Sequence, residues 1–104
     1  MATRRRPVVW ALSATRGLED ALGYIAGDSP EGARRVATGA LDAAASLATL
    51  SERGRVVPEL EDPNIRETFV YSYRLMCHVG SAQVTVLAFI HGARDFENWR
   101  HEIH

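Results

Sequence analysis

The tetrapeptide Asp28-Ser29-Pro30-Glu31 constrains this chain more than any other stretch. Proline has no N–H to donate and a fixed φ, so it suits the first turn of a helix, where that donor lacks a partner anyway. Ser29 before it is a cap, and Glu31 after it favours the positive end of the helix dipole. A helix therefore begins here. Upstream, Ala14, Leu18, Ala21, Leu22, Ile25 and Ala26 recur at helical spacing, with Ser13 as the expected N-cap and Gly27 as a left-handed stop. Downstream, Ala33, Val36, Ala37, Ala40, Ala44, Leu47 and Ala48 form a second apolar stripe that Gly54 brings to an end. Two amphipathic helices with so short a break fold back as an αα-hairpin.

The rest of the chain reads as sheet. Pro7 suits the start of a short strand, Val8-Val9-Trp10, ahead of the first helix. Arg55 to Asn64 is an irregular connection holding Pro58 and Pro63, and Ile65 to Val79 turns to β-branched and aromatic residues. That run is too long for one strand, so the chain reverses near Tyr71-Ser72. Gly80-Ser81 is a two-residue hairpin signal, which pairs Val79 with Ala82, Cys77 with Val84, Leu75 with Val86 and Tyr73 with Ala88. Those eight residues form an apolar face for the helices. The opposite face carries Arg74, Met76, His78, Gln83, Thr85, Leu87, Phe89 and His91, and needs cover from Phe96 and Trp99 or from a partner. The predicted fold is α+β in the order β-α-α-β-β-β, a helical hairpin on a mostly antiparallel sheet. One domain spans residues 1–104, with 1–7 and 97–104 as flexible or partner-binding tails.

Composition narrows the function. A chain of 104 residues holds one domain. Its net charge is −1, and all twelve basic residues are arginine; that balance argues against a protein whose main work is coating phosphate backbone. Arg4-Arg5-Arg6 is a solvated terminus by default. Cys77 is the only cysteine, so an intrachain disulfide and cysteine-rich zinc motifs are excluded. His101 and His104, three apart, belong to the polar tail rather than to a metal site. The nineteen residues from Leu75 to Ala93 carry no Asp, Glu, Lys or Arg, but His78, Gly80, Ser81 and Gln83 mark them as a hairpin, not a membrane span. Val8 to Leu12 is too short for a secretory apolar core, which points to the cytoplasm. No cofactor motif is present.

Several short motifs then fall in a recognisable order. Tyr24-Ile25-Ala26 followed by Ser29-Pro30 and Ala33 resembles the helix junction of ParE-like toxins, and Gly54-Arg55 with Pro58-Glu59 is similar to their Gly-Arg-x-x-Pro-Glu loop. Ile65-Arg66-Glu67 and Tyr73-Arg74-Leu75 look like the family's strands, and His91-Gly92-Ala93-Arg94-Asp95 like its closing segment. The resemblance runs from Val8 to Phe96 and is to the ParE/RelE toxin superfamily, ParE-like branch. It implies the toxin half of a type II toxin–antitoxin pair, neutralised by a cognate antitoxin and able to join higher toxin–antitoxin oligomers. ParE-type members inhibit DNA gyrase; RelE-type members cut mRNA on the ribosome.

The two branches ask different chemistry of the chain. RNA cleavage needs a base or acid and cations to stabilise phosphorane charge. Arg74, His78, His91 and Arg94 are the candidates for that work. Against it stand the absence of lysine, the absence of tyrosine after Tyr73, and the low positive charge available to dock on rRNA. Arg74 and Arg94 have a plainer reading as ion-pair partners of Glu67 or Asp95. Gyrase inhibition by binding is the favoured reading, mRNA cleavage the second, and an inactive interaction domain of the same fold the third. Arg74, Met76, Leu87, Phe89, Arg94 and Trp99 are the candidates for partner binding.

Overall fold

The computed structural model describes residues 5–51 and 54–103, with the side chains of all of these except 93–95, 102 and 103. Pro30 decides where the helical hairpin turns. A residue before proline is pushed out of the helical region, and Ser29 is accordingly extended, at φ −151° and ψ 101°. It ends one helix and starts the next: its N–H donates to the Ile25 carbonyl at 2.8 Å, and its Oγ accepts from the Gly32 N–H at 2.9 Å. Helix α1 spans Leu12–Asp28 and helix α2 spans Pro30–Ser46, joined by this one residue.

Three expected helix boundaries shift. Gly27 lies inside α1, because Pro30 sets the break and no left-handed residue is needed. Ala11, not Ser13, is the N-cap of α1, with no side-chain bond. The Ser13 hydroxyl donates instead to the Leu87 carbonyl at 2.8 Å, a sheet-edge acceptor that the short first strand leaves open. Helix α2 stops at Ser46, well short of Gly54, where the backbone tightens through Leu47 N–H to Ala44 and Ala48 N–H to Ala45 bonds and buries Leu47 in the core.

The sheet has five strands: β1 (Val8–Trp10), β2 (Arg55–Val56), β3 (Ile65–Val70), β4 (Tyr73–Val79) and β5 (Val84–His91), in the order β1-β5-β4-β3-β2. β1 runs parallel to β5 and the other pairs are antiparallel. The reversal at Tyr71-Ser72 is present, with Tyr71 left-handed at φ 55°. A short β2 occupies part of the connection expected to be irregular.

The β4–β5 hairpin departs from its expected register. The Gly80 N–H donates to the Gln83 carbonyl at 2.9 Å, so the loop holds four residues and Val79 pairs with Val84. Cys77 therefore faces Val86, a two-residue slip that preserves the side-chain alternation. A bulge at Met76/Cys77 then adds one residue on β5, so that Met76 pairs with Ala88 and Leu75 with Phe89. One extra residue reverses the faces of every later position on the strand. Phe89 enters the helix-side core and Ala88 leaves it.

Two cores result. Ala14, Ala21, Val36, Ala40, Leu47, Leu75, Cys77, Val84, Val86 and Phe89 pack between the helical hairpin and the sheet. Gly17 permits the closest approach: a Cβ there would strike the Phe89 carbonyl oxygen. On the other side, Val57, Met76, Ala88, Phe96 and Trp99 form a smaller cluster under helix α3, Gly92–Ile103. Gly92, at φ 71°, lets the chain pass from β5 into α3 without a loop. The residues from 97 onward, expected as a tail, thus continue α3 as far as Ile103; residues 1–4 and His104 lie outside the described residues.

Candidate functional site

A charged cluster occupies the outer face of the sheet beneath α3. Glu67 on β3 has a fully buried carboxylate, and Arg74, diagonal to it across the β3–β4 hairpin, is 7 % exposed at its side chain. Arg74 Nε donates to Glu67 Oε1 at 2.6 Å, while its two terminal nitrogens donate to the Glu59 carboxylate at 3.0 and 2.9 Å. The second oxygen of Glu67 accepts from Arg55 Nε on β2 at 2.7 Å. Phe96 closes the stack, its ring centroid 4.7 Å from the Arg74 guanidinium carbon. Two carboxylates meet two guanidiniums within the fold.

Electrostatics follow from that geometry. Burial works against the Arg74 charge, but hydrogen bonds to Glu59 and Glu67, reinforced by their charges, outweigh it and raise its pKa. The hydrogen bond from Arg74 holds Glu59 below its ordinary 4.5, despite some burial that acts the other way. Cys77, in the helix-side core, is pushed up to about 11 by burial, which keeps it a thiol.

Of the nuclease candidates whose side chains are described, Arg74 and His78 share the outer face and His91 does not. Arg74 is committed to two carboxylates. His78 sits half-buried on the outer face near the Gly80 turn. His91 has crossed to the helix side, its ring edge-on to Tyr73 at 5.1 Å, because the bulge reversed the end of β5. The expected sharing of one face by Arg74, His78 and His91 is therefore corrected. The Arg94 side chain lies outside the described residues, as does that of Asp95. Among the described residues no group of three His, Cys, Asp or Glu is placed to hold a metal ion.

The partner-binding candidates are also placed differently. Met76, Phe89, Arg74 and Trp99 are all buried, and Leu87 packs partly against the smaller cluster. The apolar outer face predicted from the strands exists, but α3 covers it. Pattern reasoning named the Arg74–Glu67 pairing. It did not join Arg55 and Glu59 to it, although both stand in the Gly-Arg…Pro-Glu loop, whose function here is to bring one more cation and one more anion to that pair.

A two-helix hairpin laid on a five-stranded mixed sheet is an α+β domain of ParE-like fold. The family model described as "ParE toxin of type II toxin-antitoxin system, parDE" matches residues 8–96. The chain belongs to that family. A solved structure of a chromosomal ParDE toxin–antitoxin system from P. aeruginosa superposes with a TM-score of 0.69 at 16 % identity, covering 86 % of this chain and 99 % of that one. A search of curated proteins finds no match. No helix among the described residues is long and apolar enough to cross a membrane.

Proposed function

We propose that this ParE toxin acts in the cytoplasm by binding DNA gyrase, without catalysis of its own, and that a cognate antitoxin neutralises it. The observation that carries the reading is the engagement of Arg74. A cation that stabilises a phosphorane must aim its donors at the developing charge, and this one spends three of them on two carboxylates beneath α3. His91 stands on the other side of the sheet. Of the described acid–base and cation candidates only Arg74 and His78 keep one face, and Arg74 is already paired there, whereas inhibition by binding asks only for a stable, shaped surface.

Purified toxin added to gyrase is expected to stop supercoiling and to accumulate cleaved DNA. The same preparation should leave ribosome-bound mRNA intact. Unimpaired supercoiling combined with ribosome-dependent cuts would move the function to the nuclease branch. The outer-face candidates Arg74, Met76 and Trp99 serve a partner, on this account, only by shaping the surface above them.

A further inference from the structure

Two groups of polar and charged side chains differ in how they are answered. Those around Glu67 are mutually satisfied. A second set lies along a groove of about 980 Å³ between α1 and the start of α3, floored by the end of β5. Arg16, Asp20 and Tyr24 form one wall and Asn98 and Trp99 the other. Arg16 and Asp20 are exposed, and neither has an ion-pair or hydrogen-bond partner among the described residues. Tyr24 is 80 % exposed, and the buried indole Nε1 of Trp99, a residue 5 % exposed, has no acceptor among the described residues. A bound acceptor would answer that donor.

The spacing on α1 specifies the ligand. Arg16, Asp20 and Tyr24 are each four residues apart, which is about 6 Å of helix rise per step. In an extended peptide, alternate residues point the same way and lie about 6.7 Å apart. The two repeats match closely over three positions. We infer that the groove binds an extended peptide segment of a protein partner, with an acidic residue opposite Arg16, a basic residue two positions on opposite Asp20, and an apolar residue two further on against Tyr24. The backbone carbonyls of such a segment are acceptors for Asn98 and Trp99, which line the opposite wall. The toxin reading bears only on which protein supplies the segment; the preference is a property of the chain itself.

The test uses the full chain and blocked peptides built around Glu-Thr-Lys-Thr-Leu, with Lys-Thr-Lys-Thr-Leu and Glu-Thr-Glu-Thr-Leu as controls. The mixed-charge peptide is expected to bind at least tenfold more tightly than either control. It should also shift the Trp99 indole signal in proton–nitrogen correlation spectra, assigned through Trp99→Phe, while leaving that of Trp10 in place. Arg16→Asp, an exposed change that spares the core, should transfer the preference to the Lys-Thr-Lys peptide. Equal affinity for all three peptides, a shift confined to Trp10, or no binding would overturn the inference. Gyrase inhibition is measured separately, so a failed groove and a failed toxin assignment are told apart.

Discussion

Glu67→Ala is expected to lower the stability of the domain by about 3–5 kcal/mol, the usual consequence of removing one partner from a buried ion pair. The magnitude comes from the partner left behind. Arg74 remains 7 % exposed at its side chain, with its Nε no longer answered and only Glu59 to offset the charge. Arg55, its own partner gone, is 61 % exposed at its side chain and turns to water at little cost. In a domain of this size the thermal midpoint should fall by roughly 12 °C or more. Urea denaturation monitored by tryptophan fluorescence measures the effect. The matching control replaces both residues, Glu67→Met with Arg74→Met, and should come within about 1–2 kcal/mol of the parent, because a buried pair exchanged for apolar side chains is often close to neutral. A loss below about 1 kcal/mol for Glu67→Ala would show that the carboxylate reaches water after all.

The second large effect is expected at Phe89. Truncation to alanine should cost about 3–5 kcal/mol through lost burial and the cavity left behind. Phe89 is 1 % exposed, stacks on Tyr73 with ring centroids 5.0 Å apart, and lies where α1 meets β5 through Gly17. Leu87→Ala is the informative comparison, since Leu87 is only partly buried, on the opposite side of the sheet. Its loss should be clearly smaller in the same urea titration. Equal losses at the two positions would mean that Leu87 and Phe89 share the outer face and that β5 lacks the bulge that shifts its register.

That register also shows where the sequence stops being legible. The helical hairpin can be read because its determinants are local. Pro30 forces Ser29 out of the helix, and the spacing of the stripe from Ala33 to Ala48 leaves one face apolar. The alternation of Leu75, Cys77, Val84 and Val86 is equally readable, and all four face the helices. The bulge is not. Nothing in Val86-Leu87-Ala88-Phe89 says which residue will be extra, because every one of them is apolar and each is acceptable on either buried face. The choice belongs to Gly17, which lets α1 press on the Phe89 carbonyl, and to α3, which needs a small residue such as Ala88 beneath Phe96 and Trp99. Both are tertiary demands. The site is obscured for the same reason: His91 comes after the bulge and so lands on the wrong side of the sheet for the nuclease arrangement. Glu59 joins Arg74 only once the loop after α2 has folded across the strands.

Behind the functional account lies one proposition, that Arg74 serves the scaffold and supplies no cation to chemistry. Growth inhibition on induction of the Glu67→Met, Arg74→Met double variant tests it most directly, with the thermal midpoint confirming that the domain is folded. Toxicity equal to the parent's is the predicted result. A folded double variant that no longer arrests growth would contradict the account.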